Sequence, residues 1–156
     1  MRDPELRSNL PAQVSSFIGR EAELAEVRRL VGVSRLVTLT GTGGAGKTRL
    51  GLRVAAELLD SARDGVWFAD LAPLGDPELV AVTVADILGV RREPGRSVFG
   101  TLVDAVGGRS PLVLLDTRHG ARCATGLGRA KRQSGRTDLP EAGRPSLQAR
   151  TRRASR

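Results

Sequence analysis

The chain has no tyrosine, one tryptophan, three phenylalanines, one cysteine, one histidine and one methionine in 156 residues. The lone cysteine, Cys123, excludes an internal disulfide, and nothing then argues for a secreted, cross-linked scaffold. His119 stands alone in a polar stretch and reads as solvated, and Cys123, without a His–acid framework beside it, reads as a free thiol. No run approaches the ~20 apolar residues of a membrane span. The opening stretch MRDPELRSNLPAQV carries early acids and no apolar core, unlike a signal peptide. These absences predict a cytoplasmic protein that does not engage a membrane, and the length suits one domain.

Acidic and apolar residues both run out at one point. Up to Asp116 there are fourteen Lys/Arg against fifteen Asp/Glu; residues 117–156 hold eleven against two, so the whole +8 charge excess belongs to the last forty residues. Those forty contain three leucines and no Val, Ile, Phe or Met. So little apolar surface does not offset a backbone ordering cost of about 1–2 kcal/mol per residue, and the composition predicts a disordered basic tail. Its arginines would neutralise nucleic-acid phosphates without reading sequence, giving weak, salt-sensitive binding at most, because no aromatic residue is there to stack on bases.

What is present centres on Gly41-Thr42-Gly43-Gly44-Ala45-Gly46-Lys47-Thr48, which fits G-x-x-x-x-G-K-[ST]. Glycines let the backbone turn tightly and aim successive N–H groups at phosphate oxygens with no Cβ in the way. Lys47 adds a mobile positive charge toward the β/γ-phosphates, the Thr48 hydroxyl is placed to ligate Mg²⁺, and Arg49 follows in the first helical turn. The flanks suit the motif. Leu36–Thr40 is a β-rich apolar run, and Leu50, Val54, Leu58 and Leu59 recur at helical spacing, so a helix N-terminus faces the same anion. Gly51 inside that helix costs about 1 kcal/mol relative to alanine.

Around this unit the periodicity predicts a helix from Glu21 to Val31, stopped by Gly32, and a strand over 66–71. A helix follows, opened by Asp76-Pro77-Glu78 and closed by Gly89. Another runs from about Ser97 with Phe99, Leu102, Val103 and Val106 on its buried face, and then comes a strand over 112–116. Alternating strands and helices signify an α/β fold with a parallel sheet, whose ligand sits beyond the carboxyl ends of the strands. Asp116, ending its strand, should share that edge with the loop and hold Mg²⁺ directly or through water. Residues 1–16 read as an extended arm. Arg91, Arg92 and Arg96 read as an exposed loop around Pro94 rather than an arginine finger.

Phe17-Ile18-Gly19-Arg20, GTGGAGKT, GVWFADLAPL (65–74) and PLVLLD (111–116), in that order, resemble the NB-ARC division of the STAND ATPases, nearest to AfsR-type and large LuxR-type bacterial transcriptional regulators. The resemblance implies a P-loop NTPase three-layer sandwich over 17–116 that is incomplete, truncated after the strand-end Asp. It implies ATP or ADP with Mg²⁺ as ligand. Phosphate contacts would come from Gly41, Gly43, Gly44, Ala45, Gly46, Lys47, Thr48 and Arg49, base-side contacts from Ile18, Gly19 and Arg20, and the metal would fall to Thr48 and Asp116. Family members switch on ATP/ADP exchange to drive an attached effector. Here Asp116 is followed by Thr117-Arg118-His119-Gly120, with no further acid until Asp138, so the likeliest activator of hydrolysis is missing and no catalytic residue is assigned. The family's phosphate-sensing strand is missing too, which implies a gap at the centre of the sheet or abnormal pairing. The function expected is a nucleotide-binding switch module, at most a weak ATPase, with no oligomer expected of this form. The alternatives are a working P-loop ATPase or small-molecule kinase, or non-specific nucleic-acid binding through the tail.

Overall fold

The computed structural model describes residues 7–12, 19–117, 120–125, 134–138 and 148–152, the last three segments by their backbone. Helix α1 (Glu21–Val33) has Glu21 and Glu23 in its first turn, where acids suit the positive end, and buries Val27, Leu30 and Val31. It does not stop at Gly32. That glycine stays within the helix in open space, and the chain leaves at Ser34, whose extended backbone feeds β1 (Leu36–Thr40) directly. A glycine stop needs the left-handed conformation after the last turn, and none is used here.

Next come α2 (Lys47–Glu57), β2 (Val66–Asp70), α3 (Glu78–Leu88), α4 (Val98–Val106) and β3 (Leu112–Thr117). The predicted Asp76 cap and Gly89 stop act, and Ser97 adds a cap of its own. The Asp76 carboxylate accepts the Glu78 N–H at 2.9 Å, Gly89 closes α3 at φ 64°, and the Ser97 hydroxyl accepts the Gly100 N–H at 3.1 Å. Phe99 corrects the expected stripe of α4: it is 64% exposed, while Thr101, Leu102 and Val106 turn inward. It stands at the rim of an apolar cleft of about 300 Å³ between α3, α4 and β3.

Alternation along the strands sets the layers. Val66, Phe68, Leu112 and Leu114 pack with α1 and α2, whereas Trp67, Ala69, Val113 and Leu115 pack with α3 and α4. The sheet thus lies between two helix pairs, a mixed α/β fold in three layers. Gly51 has a packing reason: a Cβ there would stand 3.0 Å from Leu114 Cδ1, so α2 rests directly on β3.

Sheet topology departs from the expectation in two ways. The order is β2-β3-β4-β1-β6-β5, with β4 (Gly120–Thr125), β5 (Ser134–Asp138) and β6 (Gln148–Arg152). Among the described strands only β2 and β3 pair in parallel; β4 lies antiparallel between β3 and β1, and β6 pairs antiparallel with the other edge of β1 and with β5. Where the sequence implied a central gap, Gly120–Thr125 fills it. The described parts of the region expected to be a disordered tail are therefore strands. Composition gave no sign of this because pairing runs through main-chain N–H and C=O groups, which every residue type carries, and β1 and β3 would each leave an edge unpaired without β4.

The free edge of β2 is covered by the N-terminal stretch. The Val66 N–H donates to the Arg7 carbonyl (2.9 Å). The Asn9 side chain both accepts from Phe68 N–H (2.6 Å) and donates to its carbonyl (2.9 Å), imitating a strand peptide. Gly65, at φ 83°, lies under this stretch, and a Cβ there would press into the Arg7 carbonyl. Gly65→Ala is expected to lower unfolding free energy by roughly 2 kcal/mol, combining left-handed strain with the clash. Gly19→Ala, at φ 82° in open space, should cost only about half that on strain alone, and paired thermal melts check the difference.

Candidate functional site

Both β1 and β3 run opposite to β4, so their carboxyl ends lie on one edge of the sheet. At that edge β1 passes into the 41–46 loop and then α2. Gly44 (φ 75°) and Gly46 (φ 74°) are left-handed, which a residue with a Cβ adopts only at a cost. They curl the chain so that the Ala45 N–H reaches back to the Thr42 carbonyl at 3.3 Å. The turn delivers Lys47 and Thr48 to the first turn of α2, where no side chain caps the helix start. Lys47 Nζ lies back over the loop, donating to the carbonyls of Gly41 (3.0 Å) and Thr42 (2.7 Å). Gly41, Gly43 and Gly44 are exposed, Ala45 is buried, and Arg49 is exposed on the first turn.

Thr48 and Asp116 meet. The Thr48 hydroxyl stands 3.0 Å from each carboxylate oxygen, in a half-buried position, so a side chain from α2 and one from the end of β3 converge across the top of β4. A hydroxyl and a carboxylate are the hard oxygen donors that suit Mg²⁺. Among the described residues no group of three His, Cys, Asp or Glu is gathered to hold a metal alone. This small donor set matches a cation that keeps water and phosphate oxygens as its remaining ligands.

Arg20 joins the loop from the start of α1, its Nη1 donating to the Ala45 carbonyl at 2.7 Å, while Gly19 precedes it at φ 82°. Ile18, like His119, lies outside the described residues. Asp70 was missed from the sequence as a site neighbour. Strand register sets it opposite Asp116 on β3, at the same edge, where its carboxylate accepts the Ala72 N–H at 3.0 Å. Its signal was an acid at the end of β2 matching the acid at the end of β3.

Arg92 and Arg96 make ion pairs within the chain. Arg96 bonds Glu93 (3.0 Å) and Asp104, and these hydrogen bonds, Asp104 first, hold its guanidinium above the ordinary arginine value. Arg92 pairs with Asp86 at 3.8 Å. The apolar cleft lies on the α3/α4 face, across the sheet from α2.

A mixed α/β fold with a strand, a glycine loop and a helix facing a strand-end aspartate is the class that these features define. Comparison with known proteins places relatives beside it. An uncharacterised protein of Mycobacterium tuberculosis is 42% identical over 103 residues, covering 66% of this chain and 26% of the relative. A protein of the same organism, provisionally named an HTH-type transcriptional regulator, is 44% identical over 90 residues, 58% of this chain and 10% of the relative. The regulatory protein AfsR of Streptomyces coelicolor is 30% identical over 135 residues, 73% of this chain and 13% of AfsR. The chain spans about a quarter of the length of the first of these relatives. No family model matches it, and no solved structure does either. Among the described residues, no helix is long and apolar enough to cross a membrane.

Proposed function

We propose that this chain is the nucleotide-gripping part of a STAND-type regulator, binding ATP or ADP with Mg²⁺ as a switch. The observation that carries the reading is the convergence at one sheet edge of the glycine loop, Lys47 and the Thr48–Asp116 pair. Loop N–H groups and the open first turn of α2 offer donors and a partial positive charge to phosphate oxygens. Lys47, anchored on carbonyls five and six residues back, can swing its ammonium from them to a phosphate without moving the backbone. Thr48 and Asp116 would hold Mg²⁺, which supplies neutralisation of charge between neighbouring phosphates. Hydrolysis, if any, is slow, because the short stretch after Asp116 carries no acid to orient a water. The regulator assignment draws support from the names of the AfsR and HTH-type relatives, of which this chain spans a small fraction.

Calorimetric titration of the full chain with ADP and ATP, with and without Mg²⁺, is the test. Micromolar dissociation constants are expected, and no heat at millimolar nucleotide would overturn the reading. Asp116→Asn supplies a finer check. It should leave Mg²⁺-free binding within about twofold and erase most of the gain from Mg²⁺, roughly tenfold, because an amide is a weaker ligand for a hard cation. An unchanged Mg²⁺ gain would remove Asp116 from the metal site.

A further inference from the structure

The peptide between Ala45 and Gly46 is oriented by ψ of Ala45 and φ of Gly46, and Gly46 is left-handed at φ 74°. A glycine on the carboxyl side leaves the plane conformational alternatives that a residue with a Cβ would forbid. One contact selects among them: Arg20 Nη1 donates to the Ala45 carbonyl at 2.7 Å, a short, charge-assisted bond. A trans peptide is planar, with its carbonyl and the following N–H pointing opposite ways. Holding the Ala45 oxygen on Arg20 therefore turns the Gly46 N–H the opposite way, away from the guanidinium.

The Arg20 guanidinium is itself held. Its Nε lies 3.2 Å from Glu23 Oε2, one turn along α1, with both side chains under 15% exposed, so solvent screens the pair little. That carboxylate oxygen is buried and makes no hydrogen bond among the described residues, which leaves the ion pair with Arg20 as its contact there. The guanidinium also lies over Gly46, where an added Cβ would stand 3.4 Å from Nη1. We propose that Arg20, anchored by Glu23, is a positioning residue that fixes the Ala45–Gly46 peptide plane and so aims the Gly46 N–H at bound phosphate. This rests on the phosphate-binding reading above and replaces the base-side role that the family resemblance implies for Arg20.

Two probes separate the roles. Inorganic pyrophosphate engages only the phosphate loop, whereas ADP also presents its base and ribose. For the full chain with Mg²⁺, Arg20→Ala should weaken pyrophosphate and ADP by the same factor, roughly tenfold, the loss of one charge-assisted hydrogen bond. Glu23→Gln should weaken both by a smaller common factor, and Arg20→Lys, which still reaches the carbonyl, should restore part of the loss. Loss confined to ADP, with pyrophosphate unchanged, would overturn the proposal in favour of a base-side contact. Unchanged affinity for both ligands, at an unchanged melting temperature, would overturn it outright. If Arg20→Ala does not fold, the Glu23→Gln and Arg20→Lys titrations decide by the same two-ligand comparison. Failure of the unaltered chain to bind either ligand would instead sink the phosphate reading, and this inference with it.

Discussion

Lys47→Ala is expected to weaken ATP and ADP binding about a hundredfold, the loss of two charge-assisted hydrogen bonds at roughly 1.5 kcal/mol each. The fold should barely register the change. The bonds Lys47 makes, to Gly41 and Thr42, are exposed and span only five and six residues, so they hold no distant elements together. A melting temperature close to the unaltered chain's, beside a collapse of affinity, would mark the lysine as a ligand-binding group. Equal affinity in both proteins would mean that any nucleotide bound sits elsewhere. Arginine is a poor replacement, since its fixed fork does not fill the place of a compact ammonium beside two carbonyls.

Leu114→Ala should cost about 3 kcal/mol of stability, measured by urea unfolding. Leu114 is fully buried at the centre of β3, beneath α2, and its methyl groups lie where a side chain at residue 51 would come. Removing them leaves a cavity under the helix that carries Lys47 and Thr48. The pairing with Gly51 makes the explanation testable. Gly51→Ala alone must push Leu114 aside, but combined with Leu114→Ala its methyl enters vacated space, so the double variant should recover about 1 kcal/mol, partly from helix propensity. Strictly additive effects would show that the two residues do not share the space.

The parts legible in the sequence were those with local signals. The strand–loop–helix unit, the Asp76 cap, the Gly89 stop and the strand ending in Asp116 each depend on residues within a few positions of one another. Asp116 could be set beside Thr48 because strand ends in an α/β sheet share an edge, and the two side chains do meet. Phe99 was misplaced because a helical stripe is wide at its margins, and the cleft at its rim belongs to tertiary packing. Neither Asn9 on Phe68 nor Arg20 on Ala45 was readable, since each joins residues far apart through a main-chain group that has no sequence signature. The strands beyond Thr117 were hidden for the same reason.

Because Gly120–Thr125 runs between β1 and β3, the two strands that carry the halves of the candidate site are spaced by a segment outside the motifs that mark it. Cutting the chain after Thr117 would open a slot along the middle of the sheet, stranding the loop on one bank and the aspartate on the other. The shortest piece that could still bring Thr48 to Asp116 therefore extends past the last recognisable motif.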